Sequence, residues 1–327
     1  MTPDNTSNLP AGGSAAAFKL IQDHRVAATT LLLLIFPLIM PNYSVAINIL
    51  IYGLFALGFN ILFGYMGMLS FGHAAFLGTG AYGAGILISQ FGAPWWLGIV
   101  AGVLVTTMTA WAMGVLAIRT RGIYFAMVTL ALSQCVYFIV YQFPLSGGEN
   151  GLRGVNVSKV YLPGVTLDLL NPLVKYYFFL VFIVLSIWIL SRILNSPFGA
   201  VIQAVRENES RARACGYDIE TTKLITFIIS GTFCGLAGTL SAIHLSSVAI
   251  ETLHYQTSGM VVMICLLGGM GTFFGPFIGA ALFLLIQDRF SVWTENWQLY
   301  VGIIFVILVL YFPKGVWGTI LEKLNVR

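Results

Sequence analysis

The sequence predicts an all-α, polytopic integral membrane protein with about 8–10 transmembrane or re-entrant helices and one helix outside the bilayer. Three observations predict it. Hydrophobic residues make up 58% of the chain and charged residues 9%, against about 25% charged in ordinary soluble domains. From Val26 to Phe143 the only charged side chains are Arg119 and Arg121. Nine charged side chains then gather at 192–223, between two apolar stretches. A chain this long has the bulk for a large core but too little charge to cover it. Its surplus apolar surface must face lipid.

The first 25 residues are small and polar, with no basic start leading into an apolar run. They read as a flexible cytoplasmic tail and not as a cleaved signal. A span needs about 20 apolar residues. Candidates lie at 26–40, 45–64, 68–90, 95–118, 123–143, 176–194, 223–247, 257–287 and 298–312. Residues 26–318 therefore form a single transmembrane domain, and 319–327 a second cytoplasmic tail.

Lys and Arg set the orientation. Twelve lie in the two tails, at 119–121, in the charged loop and at Lys314, against four elsewhere: Arg153, Lys159, Lys175 and Arg289. The positive-inside rule puts the larger group in the cytoplasm. Loop 144–175 is then external and loop 192–223 cytoplasmic. With the C-terminus also inside, 257–287 must be two helices or a re-entrant pair, both ends outside. Gly268, Gly269 and Gly271 let the chain turn there, and Pro276 can open the second helix without losing a needed N–H.

An earlier stretch repeats that pattern. Gly64, Met66, Gly67, Phe71 and Gly72 match Gly268, Met270, Gly271, Phe274 and Gly275. Paired glycine-interrupted segments point towards a transport path. The same glycines would also serve close helix packing. Asn60, Ser70, His73, Thr79 and Gln134 are candidate path-lining residues. A histidine inside a membrane is a functional candidate by default, although one bonded to a carbonyl freed by the break would be structural. His244, Glu251 and His254 form an external polar rim too sparse for a metal site. Trp95, Trp96, Trp293, Trp297 and Trp317 sit at segment ends, as in an interfacial belt.

Several classes are excluded. Four dispersed cysteines make no CxxC pair, so neither a disulfide nor a metal site is expected. No GxxxxGK[ST], HExxH or paired acids occur, so neither ATP hydrolysis nor catalysis is expected on this chain. The net charge of +4 marks topology and not nucleic-acid binding.

The charged loop is the strongest functional element. Pro197 can open a helix, Val201, Ile202 and Val205 form an apolar stripe, and Gly216 ends it. Arg206, Glu207, Glu209, Arg211 and Arg213 form the polar face. The spacing predicts one amphipathic helix over 197–214, with Lys223 opening the next span at the membrane edge.

Four stretches also carry a resemblance. They are GYMGMLSFGHAAFLGTGAY at 64–82, RGIYFAMVTLA at 121–131 with SGGENGLRGV at 146–155, SPFGAVIQAVRENESRARACGYD at 196–218, and LGGMGTFFGPFIGAA at 267–281. In order and spacing they resemble the permease subunits of bacterial branched-chain amino-acid ABC importers. The resemblance implies a multi-pass inner-membrane subunit with no cofactor of its own. It implies a homologous second permease, two cytosolic ATPases that use ATP and Mg, and a periplasmic substrate-binding protein. It also implies that the amphipathic helix is the coupling helix, seated in a groove of the ATPase. Glu149 and Arg153 in the external loop would be available to the binding protein.

The family also includes urea permeases. A path without embedded acids or lysines suits a neutral or zwitterionic solute, and apolar walls suit branched-chain amino acids better than urea. An ion-coupled secondary transporter is the alternative from a different class. It would favour acids within its spans, and the spans before Phe143 have none. A passive channel would not need a large amphipathic cytoplasmic helix.

Overall fold

The computed structural model describes residues 25–39, 42–157, 159–162, 165–294, 296–312 and 314–323. The expected N-terminal tail lies outside them, apart from Arg25, as does the end of the C-terminal tail from 324. The chain begins with α1 (Arg25–Ile39), α2 (Tyr43–Asn60), α3 (His73–Phe91), α4 (Trp95–Ala117) and α5 (Ile123–Gln142). A connection with three short strands leads to α6 (Pro172–Leu194). Two short helices follow, α7 (Pro197–Glu207) and α8 (Glu209–Ala214), and then the long α9 (Ile219–Leu245). The chain closes with α10 (Tyr255–Gly268), α11 (Gly275–Trp293), α12 (Trp297–Tyr311) and α13 (Gly315–Lys323). Among the described residues seven segments are long and apolar enough to cross a membrane. The protein is an all-α, multi-pass membrane protein.

α2 is the central post, packed against α6, α9, α10 and α11. A second layer joins α3, α4 and α9. Small residues set its spacing, as expected where lipid gives helices no hydrophobic drive to associate. A Cβ on Gly238 of α9 would lie 1.9 Å from the Leu77 carbonyl oxygen of α3. The outer faces of α4, α5 and α12 stay apolar and exposed, with Met108, Ile139 and Leu310 each about 70% accessible.

Four details differ from the sequence-based expectation. The first break is wider: α2 runs into a π-helical turn, Ile61–Tyr65, and α3 starts only at His73. Two residue pairs, Leu152 with Val248 and Arg153 with Ser247, join the external loop to the end of α9 as β1 (Leu152–Arg153) and β4 (Ser247–Val248). A hairpin of β2 (Lys159–Leu162) and β3 (Val165–Asp168) adds the other pair. Finally, the charged segment is two helices and not one. The Asn208 side chain accepts a hydrogen bond from the Arg211 N–H at 2.9 Å and caps α8, a role that short polar side chains fill better than continuing a helix.

Candidate functional site

Both glycine breaks and the charged segment meet at one end of the bundle. Asn60, fully buried at the end of α2, is the hinge pin. Its amide nitrogen donates to the Thr272 carbonyl at 2.9 Å, and its amide oxygen accepts from the Gly271 N–H at 3.0 Å. One side chain thus satisfies two backbone groups that the second break leaves without helical partners. From α7, the Arg206 guanidinium donates to the Gly64 carbonyl, a group in the π-helical turn of the first break. Gly64 can have no larger side chain here, because a Cβ would lie 2.0 Å from the Asn60 amide oxygen and 2.5 Å from Gly271 N.

The two breaks are built alike. Gly67 and Gly271, equivalent in the repeated motif, both adopt positive φ, +79° and +71°, which glycine reaches without Cβ strain. In the first, Ser70 Oγ accepts from the Gly72 N–H at 3.1 Å; in the second, Thr272 Oγ1 accepts from the Gly275 N–H at 3.1 Å. Each hydroxyl takes up a backbone N–H at the point where the next helix begins. Pro276 lies in the first turn of α11, as its missing N–H allows. Gly268 closes against the Gly275 carbonyl oxygen, 1.9 Å from its would-be Cβ, and Gly269 turns the chain at φ +117°.

A cleft of 610 Å³ opens beside this junction. Met66, Met68 and Phe71 of the first break form one wall and Ala126, Met127 and Leu130 of α5 another. Arg206, Glu207 and Glu209 close it from α7 and α8. Behind them, Glu209 forms an ion pair with Lys223 at the start of α9 and lies 3.9 Å from Arg121 ahead of α5. Lys223 is nearly buried, so an acid must stand beside it.

The residues expected to line a path are not gathered in that cleft. His73 is fully buried, with Nε2 2.9 Å from Ser230 Oγ and Nδ1 3.2 Å from Ser70 Oγ. Phe59, Phe76 and Phe227 surround its ring edge to face. It is a structural pin between α3 and α9, and Ser70 is its partner. Thr79 meets Thr106 of α4 at 3.3 Å, again helix to helix. Gln134 is half-buried on α5, and its amide nitrogen has no partner among the described residues. His244 Nε2 sits 3.4 Å from Ser44 Oγ, and the described residues hold no group of three metal-ligating side chains.

The apolar stripe of the charged segment also points the other way. Ile202 and Val205 are buried in the chain's own core, and Val201 is half-buried against it. They cannot fill a partner's groove. The free face of α7 is Pro197, Ala200, Gln203 and Glu207. Arg206 and Glu209, expected at a partner's rim, bond within the chain, whereas Arg211 is exposed and Gly216 turns at φ +87° beyond α8. Glu149 and Arg153 are exposed at the opposite end of the bundle. Sequence reasoning missed Asn60 as a bridge, Asn208 as a cap and the Glu209–Lys223 pair. Only Asn208, a cap-forming residue ahead of Glu-Ser-Arg, left a local signal.

Residues 43–312 match the family model described as the permease component of branched-chain amino acid transport systems. The chain belongs to this family. It is 28% identical over 330 residues to the high-affinity branched-chain amino acid transport system permease protein LivM of Escherichia coli, covering 94% of this chain and 77% of that one. The LivM protein of Salmonella typhimurium is also 28% identical, over 84% of this chain and 69% of its own length. The probable branched-chain amino acid permease LivH of Methanocaldococcus jannaschii is 22% identical, over 88% and 94%. No solved structure matches. Both breaks and the charged segment lie within the matched residues.

Proposed function

We propose that this chain is the inner-membrane permease subunit of an ATP-binding-cassette importer for branched-chain amino acids. It would pair with a second, homologous permease and be driven by two cytosolic ATPases. A periplasmic protein would deliver the solute at the end that bears Glu149 and Arg153. The names of the LivM relatives support the substrate, and similarity to both LivM and LivH proteins supports a paired permease.

One observation supports the mechanism above the rest: Arg206 of α7 holds the Gly64 carbonyl, one residue pair away from Asn60 and the second break. An ATPase seated on Pro197, Ala200 and Gln203 would move α7 as a lever. Arg206 would transmit that movement to the first break and Asn60 to the second. The Glu209–Lys223 pair and its neighbour Arg121 would carry α9 and α5 with it. The cleft between these parts is then the cytoplasmic mouth that opens and closes.

Purification of the chain with its neighbours tests the class. Two ATPase copies and a second permease should copurify, and leucine with its binding protein should raise ATP hydrolysis. Leucine uptake driven by an ion gradient, without an ATPase, would overturn the reading. Ala200→Trp on the free face should release the ATPase while the permease stays folded.

A further inference from the structure

A second pocket, of 430 Å³, opens at the end of the bundle that the positive-inside rule places in the cytoplasm. It lies between the end of α4, the turn into α5 and the start of α9. Arg119, Arg121, Arg213 and Lys223 line it, with Glu220 as the acid among them. Lys223 is paired with Glu209, and Arg213 lies 3.9 Å from Glu220. Arg121 reaches Glu209 only through Nε, at 3.9 Å. Asp218 turns its carboxylate onto the N–H groups of Glu220 and Thr221, which open α9. Against these four cations stand three acids, Glu209, Asp218 and Glu220, and one positive charge is left over. Arg119 makes no ion pair among the described residues.

The position of this charge tells more than its sign. Arg119 comes directly after α4, whose outer face is apolar and exposed at Trp111 and Leu116. Val115, Ile118 and Leu224 form an apolar side of the pocket itself, and Ile225 is exposed next to Leu224 on α9. A surface that must face acyl chains thus runs, within one helical turn from Leu116, into a group of guanidiniums. An amphiphile with an anionic head fits both halves, whereas a free anion fits only the second. Guanidinium presents planar, paired donors that match phosphate oxygens. Basic pockets between spans on the cytoplasmic side suit anionic headgroups, and one phosphodiester would neutralise the leftover charge.

We propose that this pocket holds the headgroup of one anionic phospholipid. Its phosphate sits on Arg119 and the terminal nitrogens of Arg121, and its acyl chains run along α4 and α9. Arg213 stays with Glu220 at the rim.

The test is native mass spectrometry of the full chain with its copurifying subunits in detergent, titrated with phosphatidylglycerol or phosphatidylcholine. Arg119→Gln should hold its tightest phosphatidylglycerol roughly tenfold more weakly than wild type, as loss of a hydrogen bond to a charged group implies. Both should retain phosphatidylcholine alike. Arg119→Lys keeps the charge but not the planar fork and should recover part of the affinity. Arg213→Gln should bind as wild type does. Arg119 is exposed, so its loss should leave the lipid-free unfolding midpoint unchanged, while phosphatidylglycerol should raise the midpoint of wild type alone. Equal retention of phosphatidylglycerol by wild type and Arg119→Gln overturns the site. Displacement of the lipid by excess inorganic phosphate would mean a site for free anions and overturns the lipid assignment. Loss of an ATPase subunit from Arg119→Gln, with lipid retention unchanged, would give Arg119 to a protein contact and overturns it too.

Discussion

The two glycine breaks begin from nearly the same sequence and end in different surroundings. Each turns at a positive-φ glycine, Gly67 or Gly271, and in each a hydroxyl, Ser70 or Thr272, accepts from a backbone N–H where the next helix begins. The first break continues into the core. Its helix starts at His73, buried among three aromatic rings and bonded to Ser230 of α9. The second has no such anchor. It is held by Asn60 from α2 and lies against the start of α13, where a Cβ on Gly315 would be 2.4 Å from Gly269. The repeated motif makes the turn, and the residues outside the motif decide how firmly it is held. One break is fixed, the other is suspended from it, and α7 touches the point where they join.

The largest effects should come from filling the junction. Gly268→Ala and Gly64→Ala would place a methyl group about 2 Å from a carbonyl or amide oxygen. Overpacking of this kind costs roughly 1–3 kcal/mol or more, so both should lower the unfolding midpoint in detergent sharply. Gly302→Ala, with nothing within 4 Å, should be neutral; equal losses at all three would mean that the junction is no tighter than the periphery.

Asn60→Leu should come next. It leaves the Gly271 N–H and the Thr272 carbonyl unpaired, at about 1–3 kcal/mol for each buried group. Hydrogen exchange should rise at 269–275 more than at 66–72. The reverse pattern would mean that the second break does not hang from the first.

His73→Phe should cost less, about 1–2 kcal/mol, because the ring site survives and only hydrogen bonds are lost. Its effect on hydrogen exchange should stay within α3 and α9. Spread to α10 and α11 would erase the distinction between the breaks. Arg211→Ala, an exposed charge on α8, should shift stability by less than about 1 kcal/mol, and a larger loss would place that surface in an internal network.

Much of this was legible in the sequence. The charge-free run to Phe143 and the isolated charged loop announced the membrane class, because lipid tolerates so few charges. The repeated Gly-x-Met-Gly located both turns, because positive φ leaves a residue signature. The side of each helix that faces inward was not legible. Val201, Ile202 and Val205 make an apolar stripe whether it packs on a partner or on the chain itself, and periodicity cannot tell the two apart. His73 carries the same ambiguity: a buried imidazole reads as a ligand until its two hydroxyl partners are in view. Contacts such as Asn60 to Gly271, 211 residues apart, leave no local trace at all.

The central claim is that α7 drives both breaks through Arg206. The direct measurement is the ratio of leucine imported to ATP hydrolysed by the reconstituted assembly carrying Arg206→Ala, with Arg213→Ala as control. Arg213 is exposed and lies 3.9 Å from exposed Glu220, and its loss should leave the ratio unchanged. Arg206→Ala should keep the ATPases bound and hydrolysing while the ratio falls by roughly tenfold, the loss expected for one hydrogen bond from a charged group. A ratio equal to wild type in Arg206→Ala, with both variants folded and assembled, would contradict the account.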